Sequence, residues 1–292
     1  MAVTINEIAR KANVSSATVS MVLNNKPGIS LATREKVLKI VEEYGYSLPP
    51  LKKNSVKNKG KLQLAIYKKH SKVVGDTPFF QALIEGIEAK ARYNSYQLTF
   101  KYLSDDSHID AIVADIKENS IDGMILLGTE MEESDFEKFA SIDIPVLLLD
   151  SYFLNINANY VLIDNISGVY RAAKHLLEHG HRKIGYLKSS VTIQNFKERY
   201  EGYAKALFEY GLTPDPDFTV RLLPTMDGAY EDMKRILSGK LRLPTAYVAD
   251  NDIIAFGAIK ALKENNIKIP DDVSIVGFDD MPFCTIIEPK LT

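Results

Sequence analysis

The sequence predicts a small all-helical head joined to a larger α/β body made of two doubly wound parallel-sheet lobes. Helical periodicity with capping signals fills the first 45 residues, apolar β-like runs alternate with helical stretches from residue 62 onwards, and that alternating series occurs twice. A chain of 292 residues has room for two or three such units. Its composition, 46% hydrophobic and 25% charged, is that of a folded chain and argues against disorder.

Three short helices are predicted in the head. Thr4 and Glu7 have the spacing of a capping box at the start of the first helix. Ser15 can cap a second helix that runs to about residue 24, and Ser30 can cap a third. The predicted inner face of the third helix holds Val37, Leu38, Val41 and Tyr44. Two helices joined by a tight turn and followed by a third describe a helix-turn-helix, whose second helix enters the DNA major groove; a protein-docking bundle is the alternative.

The formal charge is distributed unevenly along the chain. Residues 1–61 hold 11 Lys and Arg against 4 Asp and Glu, about +7, although the whole chain has a formal charge of −2. The remainder therefore carries about −9. A cationic head on an anionic body favours DNA as the partner of the head, while a solvated basic linker is the plainer explanation of the same charges.

The head resembles the DNA-binding domain of the lactose-repressor/galactose-repressor (LacI/GalR) family of bacterial transcription regulators. The resemblance covers about 45 residues and rests on T-x-x-E-I-A at the start, V-S-x-x-T-V-S around the second helix and S-x-x-T-R-E-K-V at the third. It implies a homodimer, with a tetramer left open, that reads a roughly palindromic operator. Ser16, Ala17 and Met21 would then face base edges. The implied phosphate contacts come from Thr4, Ser15, Thr18, Ser20, Asn24, Ser30 and Thr33.

One departure from the family concerns the bases. Family members often carry Arg, Gln or Tyr at the base-facing positions, whereas Ala17 and Met21 cannot make bidentate hydrogen bonds to purines. Their side chains can only pack on thymine methyl groups or exclude alternatives, so we expect DNA shape to carry more of the specificity. Simple packing of Met21 against the loop before the third helix is the alternative.

Residues 49–61 have the composition of a linker, rich in Pro, Asn and Lys. We expect a basic tether in which Lys52 and Lys53 contact phosphates. In the LacI/GalR family this segment folds on DNA into a hinge helix that inserts an apolar wedge into the minor groove. The chain lacks the family's Ala-Arg-x-x-Leu pattern, and Asn54, Ser55 and Asn58 are poor helix formers, so the hinge helix is left open.

Polar side chains follow several predicted strands of the body. Asp150 ends VLLLD, Asn251 follows TAYVAD, and Asp279 ends VSIVGFD. Arg199 is expected to open the helix after KIGYLKSS. Such groups hold vicinal hydroxyls by paired hydrogen bonds, and this fold class binds ligands at the carboxyl ends of its strands. A sugar is a ligand that fits this set of polar groups. The plainer explanation for any single aspartate after a strand is that it caps a helix or forms a turn. Apolar faces are expected from Phe79, Phe80, Tyr152 and Phe153.

The body resembles the effector domain of the same family, which has the periplasmic-binding-protein type I fold. Matching motifs include R-Y-E-G-Y at 199–203, P-T-A-x-V-x-x-N-D-x-x-A-x-G at 244–257 and V-S-I-V-G-F-D-D at 273–280. The resemblance implies an effector site built from Phe80, Asp150, Arg199, Asn251 and Asp279. In the family the chain crosses back into the first lobe near the position of residue 288, so we expect this final crossover to be missing.

Other classes of function lack their sequence signals. A charged N-terminus and no apolar run of about 18–20 residues disfavour secretion and membrane insertion. One cysteine, Cys284, rules out an internal disulfide and a Cys-rich metal site, so we expect a reducing cytoplasm. No phosphate-binding glycine loop or nucleophile elbow is present. His175 and His179 lack a completing carboxylate, and Asp279 and Asp280 are adjacent, so we expect neither a metal, nor a cofactor, nor a glycosidase.

Taken together, the sequence predicts a DNA-binding repressor whose operator affinity responds to a sugar or sugar phosphate bound between two lobes, and not an enzyme. The predicted domains are a head at 1–48, a linker at 49–61 and an effector-binding and dimerisation domain at 62–292, with lobes at about 62–161 and 162–290. A regulator controlled by a phosphocarrier-protein co-repressor is the first alternative. A solute-binding protein is the second, against which the head argues. Whether the effector promotes or releases DNA binding is left open.

Overall fold

The structure is a computed structural model that describes residues 4–23, 29–44, 58–75, 77–104, 107–239 and 242–292. The chain divides into two compact units, Met1–Asn58 and Lys59–Thr292. Asn24, Lys52 and Lys53, together with most of the predicted linker, lie outside the described residues. The predicted limits of the head, the linker and the two lobes stay predictions.

The first unit contains the three predicted helices, α1 Ile5–Ala12, α2 Ser16–Leu23 and α3 Leu31–Glu43. At the start of α1 the Thr4 backbone N–H donates to Glu7 Oε2 at 2.7 Å, and Thr4 Oγ1 accepts from the Glu7 N–H at 3.4 Å, which is the predicted capping box. Asn13 has φ of 53° and so turns the chain between α1 and α2. The core of this unit holds Ile8, Ala9, Ala12, Val19, Val22 and Val37.

The inner face of α3 differs from the prediction at two positions, Leu38 and Tyr44, both of which are exposed. Leu38 was expected inside but is 45% exposed, and Ile40 packs against the core instead. Positions 37, 40, 41 and 44 recur at the helical period, whereas position 38 lies about 100° away from 37 around the axis. Tyr44 is partly exposed and accepts a hydrogen bond from Lys11 Nζ at 2.9 Å, which ties the end of α3 to α1.

The second unit contains two parallel sheets, as predicted. The first sheet has the strand order β2-β1-β3-β4-β5. Its strands are β1 Gly60–Tyr67, β2 Tyr96–Leu103, β3 Gly123–Leu127, β4 Val146–Leu149 and β5 Asn159–Val161. The accompanying helices are α4 Pro78–Tyr93, α5 Ile109–Asn119 and α6 Glu133–Glu137, and a short 3-10 helix follows at Lys138–Ser141. The strand β5 was not predicted, because three residues without an apolar run carry no strand signal.

The second sheet has the strand order β7-β6-β8-β9. Its strands are β6 Ile184–Ser189, β7 Thr219–Leu222, β8 Ala246–Ala249 and β9 Ser274–Val276. Its helices are α7 Asn165–Glu178, α8 Gln194–Glu209, α9 Met226–Leu237 and α10 Asp252–Glu264, with 3-10 turns at Pro216–Phe218 and Pro282–Thr285. We call the part that carries the first sheet lobe 1 and the part that carries the second sheet lobe 2. Within the described ranges, no helix is long and apolar enough to cross a membrane.

The two lobes meet at the carboxyl ends of their strands. Strand order reverses between β1 and β3 in lobe 1 and between β6 and β8 in lobe 2, and such switch points open a crevice in this fold class. Ile193 and Phe196 of lobe 2 belong to the same buried apolar cluster as Leu64, Ile66 and Phe80 of lobe 1. The two lobes are therefore joined by apolar contacts beside this crevice.

Candidate functional site

A narrow cavity lies between the lobes at these strand ends. Segments that follow seven strands contribute to its wall, so the sheet topology brings together residues far apart in sequence. The wall is formed by Val73, Thr77, Phe79, Phe80, Thr129 and Asp150 of lobe 1, and by Ile193, Asn195, Phe196, Arg199, Pro224, Asn251, Ile253, Asp279 and Met281 of lobe 2. All five predicted effector-site residues line this one cavity.

Arg199 lies in the second turn of α8 and not at its start. The helix begins five residues earlier, at Gln194, so the prediction that Arg199 opens the helix was wrong. The Arg199 side chain is buried, and its Nε donates to Asn165 Oδ1 at 2.9 Å while its Nη1 donates to the Asp250 carbonyl at 2.7 Å. Its Nη2 lies 3.3 Å from Asp279 Oδ1. Each guanidinium nitrogen thus has a protein partner, although Nη1 and Nη2 each carry a second N–H.

Close packing of α7 on α8 brings Asn165 to Arg199. A Cβ at Gly202 would lie 2.2 Å from the carbonyl oxygen of Ile166, so only glycine allows the two helices to approach this closely. Asn165 is the first residue of α7, and its Nδ2 donates to Glu198 Oε2 at 3.0 Å while its Oδ1 accepts from Arg199. The orientation of the guanidinium is therefore set by helix packing.

Asp279 is the most strained residue of the cavity. Its φ of 111° is a conformation that residues with a Cβ rarely adopt, and such strain is concentrated at functional sites. The carboxylate is buried, and its Oδ1 has no hydrogen-bond partner, because the nearby Arg199 Nη2 meets the distance of an ion pair but not the geometry of a hydrogen bond. Burial raises the pKa of Asp279 to about 7, although the Arg199 charge acts in the opposite direction.

The loop that carries Asp279 is held by Asp252, the first residue of α10. Asp252 Oδ2 accepts from the Met281 N–H at 2.8 Å and from Cys284 Sγ at 3.1 Å. A Cβ at Gly277 would lie 2.1 Å from Asp252 Oδ1, so the loop can pass this carboxylate only with glycine at that position. The strained backbone at Asp279 is thus imposed by contacts on both sides of it.

Asp150 connects the two lobes. It ends β4 with a φ of 64°, and its Oδ2 accepts from Thr129 Oγ1 at 2.6 Å within lobe 1. Its Oδ1 accepts from Asn195 Nδ2 of lobe 2 at 2.8 Å. Burial raises the pKa of Asp150, and these two hydrogen bonds and the Arg199 charge act to lower it. Asn195 was not predicted, although it precedes Arg199 by four residues and so shares its face of α8.

Asn251 has a structural role as well as a place in the cavity. It caps α10, because its Oδ1 accepts from the Ile254 N–H at 3.0 Å. Asn251 also lines the cavity. The neighbouring Asp250 is fully buried, accepts from Tyr186 Oη and the Ser189 N–H at 2.6 Å each, and has a pKa that burial raises to about 6. Asp250 therefore ties the ends of β6 and β8 together next to Asn251 and the Arg199 guanidinium.

The predicted aromatic residues divide between two places. Phe79 and Phe80 line the cavity, with ring centroids 5.0 Å apart in an edge-to-face arrangement. Tyr152 and Phe153 line instead an adjacent groove between the lobes, which reaches the cavity wall at Ile193. The further aromatic ring in the cavity wall belongs to Phe196 of lobe 2, and not to Tyr152 or Phe153.

The predicted DNA contacts of the first unit lie at helix starts and on the exposed side of α2. Ser15 Oγ accepts from the Thr18 N–H at 3.0 Å, and Ser30 Oγ accepts from the Thr33 N–H at 3.3 Å. Together with Thr4 they cap the three helices, and helix N-termini are where backbone N–H groups meet phosphates. Ser16 and Ala17 are exposed, and Ser20 and Met21 are half-buried. The assignment of these residues to phosphates and bases stays a prediction.

The described residues contain no group of three or more His, Cys, Asp or Glu side chains placed to hold a metal ion. His175 and His179 lie side by side with ring centroids 4.2 Å apart, and His179 Nδ1 contacts the His175 carbonyl at 2.8 Å. Cys284 is buried, and burial with the nearby Asp252 charge raises the pKa of its thiol to about 12, so it has the character of a packing residue.

Comparison with known proteins places the chain in a family. Residues 4–48 match the family model of bacterial regulatory proteins of the lacI family, and residues 173–292 match the periplasmic binding protein-like domain. The NTD biosynthesis operon regulator NtdR of Bacillus subtilis is 31% identical over 290 residues, which is 99% of this chain and 86% of NtdR. The transcriptional repressor CytR of Escherichia coli is 31% identical over 299 residues, with 100% and 84% of the two chains covered.

A solved structure agrees with these relatives. The LacI-family regulator of Enterococcus faecium with bound ribose superposes with a TM-score of 0.66 at 26% identity, over 79% of this chain and 82% of that one. The resemblance inferred from the sequence and the predicted fold class are confirmed. The chain therefore belongs to the lacI family of bacterial regulatory proteins: it is a DNA-binding transcriptional repressor with a ligand-binding body, and not an enzyme.

Proposed function

We propose that this repressor responds to an uncharged sugar bound in the cavity between the lobes. Arg199, Asn251 and Asp279 of lobe 2 would hold its hydroxyls, with Asp150 and Phe80 of lobe 1 closing over it. The carrying observation is Asp279 Oδ1, a buried acceptor without a hydrogen-bond partner in the wall of the cavity. A buried acceptor of this kind costs free energy until a donor reaches it, and a sugar hydroxyl is such a donor.

The charges of the cavity favour an uncharged ligand over a sugar phosphate. Arg199 is the one cation in its wall as described, and its three nitrogens already face Asn165, the Asp250 carbonyl and Asp279. Two carboxylates, Asp150 and Asp279, share the same wall. A phosphate would meet these two carboxylates, and the charge of Arg199 is already paired with one of them, which is unfavourable in a buried site.

The apolar half of the wall suits the same ligand class. Phe79, Phe80 and Phe196 offer ring faces and edges, and a sugar ring has C–H groups that pack against such surfaces while its hydroxyls reach polar groups. The structure of the Enterococcus faecium relative with bound ribose supports this choice. A phosphocarrier-protein co-repressor is not favoured, since the features just described belong to an enclosed cavity.

Sugar binding would act on DNA through the lobes. The ligand adds hydrogen bonds on both sides of the cavity, next to the Asp150–Asn195 hydrogen bond that already joins the lobes. We propose a homodimer whose heads, residues 1–48, grip the two halves of a chromosomal operator in the cytoplasm, with residues 49–61 as the tether. By linkage, sugar and operator must change each other's affinity by the same factor.

A thermal-shift screen of the full-length chain tests this proposal. The panel pairs uncharged pentoses, hexoses and glycosides with their phosphates, and adds nucleosides. We expect at least one uncharged sugar to raise the unfolding midpoint, and the phosphate of the same sugar to leave it unchanged. Calorimetry then gives the Kd, and a gel shift with and without the sugar gives the coupling to DNA. A response to phosphates or nucleosides alone would contradict the assignment.

A further inference from the structure

We propose that the DNA-reading face of α2 identifies its operator through the 5-methyl groups of thymine and not through hydrogen bonds to guanine. This rests on the DNA-binding function and adds the chemistry by which bases are distinguished. The residues that carry it are Ala17, which is exposed, and Met21, which is half-buried; together they form a ridge on the side of α2 that faces away from the core.

The orientation of α2 within its unit selects this ridge. Val19 and Val22 are buried against the core, at 0% and 3% exposure. At about 100° per residue, Ala17 and Met21 point roughly opposite to the direction shared by these two valines. They are spaced by four residues, so their side chains are neighbours on the helix surface. A helix-turn-helix places the N-terminal part of this face against base edges.

Within the described residues of α2, the polar groups beside the ridge are serine and threonine hydroxyls, which do not discriminate between bases. The sequence of α2, SATVSMVL, contains no charged residue and no Asn or Gln. The Ser15 and Thr18 hydroxyls lie 2.8 Å apart and cap the helix, so they are engaged in its own first turn. Ser16 is exposed, but a serine hydroxyl pairs with either donors or acceptors in the groove.

Of the groups that bases expose in the major groove, the thymine methyl group is then the one that this face of α2 can distinguish. Guanine is normally recognised by a bidentate contact of Arg or Lys to O6 and N7, which neither a methyl group nor a thioether can make. Thymine alone presents an apolar C5-methyl group there, and Ala and Met side chains gain by covering it. Burying one methyl group corresponds to about a threefold to fourfold gain in affinity.

The experiment uses the full-length chain and chemically altered DNA. A duplex is first selected from a random library at low salt and resynthesised in three forms: unmodified, with deoxyuridine replacing one thymidine at a time, and with 7-deaza-guanine replacing one guanine at a time. We expect deoxyuridine to weaken binding about threefold to fourfold at one or two positions of each half-site. We expect 7-deaza-guanine, which lacks the N7 acceptor, to have no effect at any position that contacts the protein.

Two substitutions at the ridge complete the test. Met21→Leu keeps an apolar side chain and is expected to keep the sensitivity to deoxyuridine. Met21→Arg introduces a bidentate donor and is expected to select duplexes with a guanine, whose replacement by 7-deaza-guanine then weakens binding more than threefold. The inference is overturned if deoxyuridine is neutral at every position, or if the unaltered chain depends on guanine N7. Failure of DNA binding itself is a different result, since then no duplex would be enriched or bound.

Discussion

The two lobes contribute different chemistry to the cavity that they share. Lobe 2 supplies the directional groups, Arg199, Asn251 and Asp279, each fixed by contacts within its own lobe. Lobe 1 supplies two phenylalanines and a single carboxylate, Asp150, whose second partner is Asn195 on the opposite lobe. The difference indicates that lobe 2 selects the ligand by hydrogen bonding, while lobe 1 covers the bound ligand and responds to its presence.

The largest effect is expected from Arg199→Ala. The substitution removes the donor of two hydrogen bonds and leaves the buried Asp279 carboxylate without its cation, so we expect more than a hundredfold loss of sugar affinity and a lower unfolding temperature. Calorimetry and thermal unfolding measure the two effects. Operator binding without sugar is expected to persist below the lowered unfolding temperature. Arg221→Ala, on the exposed side of β7, is the matched control, and unchanged sugar affinity in Arg199→Ala would remove the residue from the site.

Asp279→Asn is expected to stabilise the empty protein while weakening its binding of sugar. The pKa of about 7 lies above the ordinary value of 3.8, so this carboxyl contributes stability below about pH 4 and loses that contribution as the pH rises through 7. At pH 8 the buried charge therefore destabilises the empty protein, and the amide removes this cost. We expect an unfolding midpoint a few degrees higher at pH 8, about 2–4 °C for each kcal/mol, and a smaller gain at pH 5.

The same variant is expected to lose sugar affinity by about 10- to 100-fold, because a hydrogen bond to a charged group is replaced by one to a neutral amide. Asp271→Asn, exposed on the same lobe, is the control for both measurements. If the unfolding midpoint of Asp279→Asn at pH 8 were lower than that of the unaltered chain, the carboxylate would stabilise the empty cavity, contrary to this account.

Phe80→Ala tests the covering role of lobe 1. Phe80 is buried in the apolar cluster that also contains Ile193 and Phe196 of lobe 2, so its removal opens the cover and loses apolar contact with the ligand. We expect sugar affinity to fall about 10- to 30-fold, from roughly 1.5–2 kcal/mol of lost burial, without a change in the rank order of sugars. Phe100→Ala, a 47% exposed phenylalanine on β2, is the control. An altered rank order would mean that lobe 1 also selects the ligand.

The smallest effect is the pH dependence of binding to the unaltered protein. A sugar hydroxyl donates to the ionised form of Asp279, and a carboxyl with a pKa of about 7 is mostly protonated at pH 6 and mostly ionised at pH 8. Calorimetry should therefore show affinity rising by up to about tenfold from pH 6 to pH 8. The dependence should be absent in Asp279→Asn. Equal affinity at both pH values in the unaltered chain would argue against a hydrogen bond to this carboxylate.

Prediction from the sequence succeeded where the signal is local. Strand runs such as LQLAIY and KIGYLKS, the capping box at Thr4 and the polar residues after strands can each be recognised within a few neighbouring residues. Arg199 was identified, but its place in the helix was not, because QNFKE before it has no strong apolar periodicity. Asn195 and Thr129 were missed for a related reason, since their importance depends on Asp150, which is 45 and 21 residues away.

The sequence by itself determined the helix-turn-helix, the repeated α/β pattern and the residue types at the strand ends, because capping, periodicity and the pleat of a strand act over short distances. Only the tertiary structure decided which partners these residues have: that Asn165 and Asp250 accept hydrogen bonds from Arg199, that Asn195 donates to Asp150, and that Asp279 Oδ1 has no hydrogen bond. Hydrogen bonding and burial depend on groups that the chain brings together from distant positions. For that reason, the residue types in the sequence predicted a sugar-type ligand, whereas the preference for an uncharged ligand was inferred from the partners of those side chains in the packed lobes.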